Sequence, residues 1–252
     1  MKDQHPTYPN PTIAQVACEI AFATTNDEDL NLSALLNVLG KDFPSLKPVQ
    51  NLQLQIVLGG PPPVTPAAPA AAGVAFRFAT KNDKKSVLVS KTNFVFQWNE
   101  SYSGWAVFKD NLMSLWASCA PHLQPGIISK LGLRYTNRIP RSEEFPDVKD
   151  WIKATADIPQ ALLLSKDHFL GRIESSPLEA NLRLVTLGLE PESPDLPYGS
   201  ILFDIDRLTI EQFEPSNDAI SEKLEFVHED IWTAFDSAST DTLKSHLAGS
   251  SK

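Results

Sequence analysis

The segment Leu131 to Ile139, Leu-Gly-Leu-Arg-Tyr-Thr-Asn-Arg-Ile, alternates with the period of an extended strand and presents two unlike faces. Leu131, Leu133, Tyr135 and Ile139 point one way, whereas Arg134, Thr136 and Arg138 point the other. One face calls for a core and the other for anions. A chain built around such a strand needs a sheet that is covered on one side and charged on the other.

The flanking sequence supplies more strands and the helices to cover them. A strand is expected from Ile13 to Phe22, with Val16, Cys18, Ile20 and Phe22 toward the core and Glu19 away from it. A short amphipathic helix follows over Leu30 to Leu39, ended by Gly40, and then a strand over Leu52 to Leu58. Residues 59–73 are almost entirely Pro, Ala and Gly and read as an extended loop. Three short strands are expected over 74–79, 86–89 and 92–99. A helix then opens at Tyr102-Ser103-Gly104-Trp105, with Val107, Phe108, Leu112, Leu115, Trp116 and Cys119 as its apolar stripe and Pro121 at its end.

From about residue 125 the order repeats. The two-faced strand comes first, then a short helix over 147–155, strands across 162–189 interrupted at Ser175-Ser176-Pro177, and a strand over 201–210. Ser216 caps a long helix with the stripe Ile220, Leu224, Val227, Ile231 and Phe235. The expectation is an α+β fold, mostly one antiparallel sheet, as a single unit over 1–252. Its two similar β-α-β(3-4)-α halves, 8–124 and 125–248, would join through their leading strands, with the long helices on one face.

Composition narrows the partners. With 22 Lys+Arg against 31 Asp+Glu, a net charge of −9 gives no chain-wide attraction to phosphate backbones, and the two-faced strand turns Tyr135 inward, so nucleic acid is not expected. Cys18 and Cys119 sit in apolar runs without metal-ligand spacing, as reduced core residues of a cytoplasmic protein do. No secretory h-region and no run of about 18 apolar residues is present, so neither export nor a membrane span is expected.

The candidate chemistry is a charged sheet face. Glu19, Arg134 and Arg138 share it with Asp204 and Asp206, two residues apart on one strand. Either these groups pair among themselves, or the arginine forks hold a carboxylate or phosphate from outside. Asp204-x-Asp206 could carry a divalent metal, but no third carboxylate or glycine-rich phosphate loop accompanies it, so neither a metal site nor a cofactor is assigned. His5, His122, His168, His228 and His246 lack metal-ligand spacing, and no Gly-x-Ser-x-Gly elbow occurs, so no catalytic residue is assigned. Tyr102 and Trp105 read as packing residues or as the lining of a pocket for a planar ligand, and His228 as a histidine at the edge of the core.

Four segments together resemble a family of no established activity scattered sporadically through bacteria and archaea. They are Tyr8-Pro9-Asn10-Pro11-Thr12-Ile13 with Cys18-Glu19-Ile20, Tyr102-Ser103-Gly104-Trp105, Leu133 to Ile139, and His228 with Ile231 and Phe235. The likeness runs from about Tyr8 to Leu247, and its recurring positions here are Glu19, Trp105, Arg134, Tyr135, Asn137, Arg138 and His228. Sporadic families of this kind travel with mobile elements, defence or toxin–immunity loci. By analogy, the resemblance implies a non-enzymatic accessory protein of the prokaryotic cytoplasm that binds another protein. The alternative is an enzyme or sensor for a small phosphorylated ligand or nucleotide with a divalent metal.

Overall fold

The two-faced segment lies in the longest strand of a nine-stranded sheet. The structure, a computed structural model, describes residues 5–6, 8–25, 29–49, 74–99, 102–164, 169–178 and 180–249. Along the chain the elements are β1 (Ile13–Thr24), α1 (Leu32–Leu39), β2 (Ser45–Val49), β3 (Ala75–Ala79), β4 (Lys85–Val89), β5 (Asn93–Trp98), α2 (Trp105–Leu123) and β6 (Pro125–Pro140). There follow α3 (Val148–Trp151), α4 (Gln160–Leu163), β7 (Leu170–Leu178), β8 (Asn181–Glu190), β9 (Ser200–Thr209), α5 (Asn217–Ala238) and α6 (Asp241–Leu247). The strand order is β2-β3-β4-β5-β1-β6-β9-β8-β7, antiparallel throughout.

The leading strands β1 and β6 meet at the centre, with Cys18 opposite Leu133 and Ala17 opposite Arg134. This register sends Val16, Cys18, Ile20 and Phe22 to the same side as Leu131, Leu133 and Tyr135, all of them buried. Helices cover that side. Trp116 of α2 is fully buried and meets the rings of Phe22 and Phe94 edge-on, at 5.9 and 5.6 Å between centroids. Burying an aromatic of this size removes about 150–250 Å² from water, worth about 4–6 kcal/mol before entropy is counted.

Ser216 caps α5 by accepting from the N–H of Ala219, and Ile220, Leu224, Val227 and Ile231 face the sheet. Charge ties this helix down as well. Arg183 of β8 and Arg207 of β9 sit directly opposite each other, an arrangement that repels unless an anion lies between them. Asp230 of α5 fills that place, accepting two hydrogen bonds from Arg183 and lying 2.8 Å from Nε of Arg207, while Asp157 takes the remaining end of Arg183.

Several expectations change in detail. The helix does not stop at Pro121 but runs on to Leu123, which is buried, and ends where Gln124 turns left-handed at φ 48°. A proline in the last turn forgoes only its own donor, and burial of Leu123 favours keeping that turn. Val107, expected in the stripe, is exposed. Ser175-Ser176-Pro177 does not interrupt β7. Its register with β8 shifts between Ser175 and Leu178, and the chain turns at Ala180, with φ 57°. Edge position makes the missing proline N–H harmless there. The expected helix over 147–155 shortens to four residues, the strands expected from Leu162 begin only at Leu170 because Gln160–Leu163 form α4, and β2 and α6 were not anticipated either. The expected strand over 52–58 and the Pro/Ala loop over 59–73 lie outside the described residues.

Candidate functional site

The sheet separates the candidate residues into two groups. Glu19, Arg134, Arg138, Asp204 and Asp206 occupy the face away from the helices, whereas Tyr102, Trp105 and His228 meet on the helical side.

On the face away from the helices, carboxylates engage both arginines. Arg134, 9% exposed, donates through Nε to Asp204 at 2.7 Å, and Thr136 donates to the same oxygen at 2.8 Å. Arg138 grips Glu190 with two hydrogen bonds of 2.6 and 2.9 Å, and Ser200 also donates to that carboxylate. Glu19 pairs with Lys130 at 2.8 Å and not with either arginine. Burial lifts the Asp204 carboxyl above its ordinary range, against the pull of Arg134 and Thr136. Asp206 lies across from Arg134 and is pushed up to about 7, chiefly by burial and further by the charges of Asp204 and Glu19. The sequence put Arg134 on one face with Glu19, Asp204 and Asp206 without choosing among them, and the structure pairs it with Asp204; Glu190 and Lys130 were missed because alternation alone does not fix which residues of neighbouring strands lie opposite each other. Among the described residues, no group of three or more His, Cys, Asp or Glu side chains has the geometry of a metal site.

The helical side holds a cavity that opens to solvent and has about 90 Å³ of space for water-sized groups. Gly104 makes its first wall. With φ 101° and ψ 158° it adopts a backbone conformation that side chains disfavour, and it turns the chain into α2 so that Tyr102 and Trp105 both line the space. From the floor, Tyr135 and Asn137 of β6 and Ile205 of β9 project inward. The hydroxyls of Tyr102 and Tyr135 are 2.9 Å apart and their rings meet edge-on. Asn137 is buried and accepts from the Thr12 hydroxyl at 3.0 Å, so its amide N–H groups are the donors it retains.

Helical spacing on α5 builds the opposite wall. Glu225 and His228 address Trp105, and Glu229 and Trp232, one turn further along, address His5. The His228 ring stacks on Trp105 with centroids 4.0 Å apart and planes 4° from parallel, and His5 stacks on Trp232 at 4.5 Å. Burial pushes the His228 imidazole down to about 4, helped by the nearby His5 and Lys109 and resisted by Glu225. The ring is therefore neutral at pH 7. Glu225 accepts from Trp105 Nε1 at 2.9 Å and pairs with Lys109; these donors outweigh its burial and hold its carboxyl below the usual range.

The N-terminal segment closes the cavity. His5, Pro6, Tyr8, Pro11 and Thr12 line it, and Asn10 anchors the segment to α6 through backbone and side-chain bonds to Leu247 and His246. His228, read from the sequence as a histidine at the edge of the core, stacks on an indole. Trp232 and His5 were missed as site residues because nothing in their spacing marks them. The segments that carried the family resemblance do contain most of the lining: Tyr8, Thr12, Tyr102, Trp105, Tyr135, Asn137, His228, Ile231 and Phe235.

Such a space suits a flat, mostly apolar molecule, with the tyrosine hydroxyls, the Asn137 amide and a neutral imidazole as its polar contacts. Set against protein-family models and against curated proteins, the chain matches none.

Proposed function

We propose that this chain is a non-catalytic binding protein that holds a small, planar, largely uncharged molecule in the aromatic cavity. The observation that carries this reading is the convergence of Trp105, His228, Tyr102, Tyr135, His5 and Trp232, from four separate parts of the chain, on one cavity. Stacking of aromatic faces rewards a flat ligand, and an apolar pocket with a few convergent polar groups is the usual form of a small-molecule site. Because His228 is neutral and Glu225 is already paired with Lys109, the lining favours a neutral ligand over an ion. The accessory role implied by the family resemblance fits a ligand-responsive protein whose N-terminal segment is part of the site. We further propose that the two halves descend from one duplicated unit. The placing of β1 and β6 side by side, each flanked outward by the last strand of its own half, supports this.

Native mass spectrometry of the protein purified from its own host, followed by fluorescence titration of Trp105 and Trp232 with a panel of neutral heteroaromatic compounds, tests the reading. A bound small mass that Trp232→Ala releases is the expected result. A ligand present at 100 times its dissociation constant stabilises the fold by about 2.7 kcal/mol. A bare chain mass, with neither quenching nor stabilisation across the panel, overturns the proposal.

A further inference from the structure

Among the described residues, the two edge strands of the sheet have no outer neighbour, and they treat that backbone differently. The β2 edge is five residues long and carries Lys47 and Pro48, a charge and a missing donor, both of which discourage strand addition. The β7 edge is nine residues long, and its proline lies beyond Leu170 to Ser175, the part paired with β8 in unbroken register. Leu189 N–H donates to the carbonyl of Phe169, so the alternation of an antiparallel ladder turns the N–H and C=O of Leu170, Arg172 and Glu174 outward. Arg172 and Glu174 are exposed on the face away from the helices, and among the described residues neither forms an ion pair or hydrogen bond through its side chain, although the Arg172 charge reaches the buried Asp204 and Asp206.

We propose that β7 is the pairing edge for a second copy of this chain, joined antiparallel about a two-fold axis at Ile173. Hydrogen bonding requires outward-turned residues to face outward-turned residues, so the symmetric registers move in steps that keep even positions opposite even positions. Centring on Arg172 sets two arginines against each other, and centring on Glu174 sets two glutamates together. Only the register centred on Ile173 places each Arg172 opposite Glu174 of the second copy, twice over, and brings the two Ile173 side chains together on the helical side. The edge is thus complementary to itself in charge, which selects a second copy over an unrelated strand.

Sedimentation and mass photometry of the full chain, over concentrations reaching roughly 100 µM because a single strand pair is a small interface, test the proposal. The expected result is a dimer that weakens as salt rises. Arg172→Glu alone and Glu174→Arg alone each set like charges together and are monomeric. Mixed one to one they form a heterodimer, and the double reversal Arg172→Glu/Glu174→Arg dimerises by itself. Circular dichroism of each variant checks the fold, and the double reversal reports on the interface even where a single variant is poorly behaved. A wild-type chain that stays monomeric, single variants that dimerise as the wild type does, or a mixture that remains monomeric overturns the proposal.

Discussion

The imidazole of His228 lies flat against the indole of Trp105, with ring centres 4.0 Å apart, and the Trp105 N–H reaches past it to Glu225 one helical turn earlier on α5. The contact fixes the start of α2 against the middle of α5, and it does so beside the cavity. The same two rings therefore support the helical layer and shape the site. Any ligand that stacks there meets a surface already held in place.

Acidification should weaken the fold through His228. Its folded-state pKa of about 4 lies below the roughly 6.5 of an exposed histidine, so the unfolded chain takes up a proton first as pH falls. This contribution is complete above about pH 6.5 and is lost as pH drops from there toward 4. Burial lowers the pKa of His246 as well, with the same sign. His228→Phe, which keeps an aromatic ring without a titration, should lack this loss, so its urea unfolding midpoint should gain on that of the wild type between pH 7.5 and pH 5. An NMR titration midpoint near 4 for the His228 ring checks the assignment.

Asp206 should act with the opposite sign. Its carboxyl is pushed up to about 7, so the folded chain binds a proton that the unfolded chain has already released. Stability from this group is present at acid pH and is lost as pH rises through about 7. Replacing Asp206 with Asn should raise the melting temperature more at pH 8 than at pH 5, as differential scanning calorimetry at the two pH values would show.

These two groups also mark where the sequence was readable and where it was not. Alternation alone placed Asp204 and Asp206 on the face of Arg134, because period 2 is a property of the backbone. It likewise placed Tyr135 inward, and helical spacing placed the α5 stripe against the sheet. The cavity was hidden because its walls come from segments more than a hundred residues apart, such as Tyr102 and His228, and periodicity carries no information about which helix faces which. The edge strand β2 escaped notice for a related reason. Ser45 to Val49 contains a proline and a lysine, which local propensity scores against a strand, and pairing with β3 overrides that preference.

Neither cysteine should react with a thiol reagent while the protein is folded. Cys18 and Cys119 are fully buried and unpaired; burial raises the Cys18 pKa and pushes that of Cys119 up to about 12. The thiolate is the reactive form and is scarce at neutral pH at both positions. Ellman's reagent should label no thiol in buffer and two in denaturant, and labelling in buffer would indicate local opening of β1 or α2.

Arg134 and Arg138 lie four residues apart on one strand face, yet they should differ greatly when truncated. The Arg134 and Asp204 side chains are 10% and 2% exposed, so Arg134→Ala strands a buried carboxylate, and breaking such a pair costs about 3–5 kcal/mol. Losing that positive charge also removes what most restrains Asp206, whose pKa should climb further above 7 in the variant. The Arg138 side chain is 52% exposed; water screens its pairing with Glu190, and Arg138→Ala should cost about 1 kcal/mol or less. Chemical denaturation of the two alanine variants at pH 7 separates them. Adding Asp204→Asn to Arg134→Ala should recover part of the loss, because the penalty comes from the stranded charge and not from the missing contact alone. Equal losses for the two arginines would mean that water screens Arg134 as well as it screens Arg138.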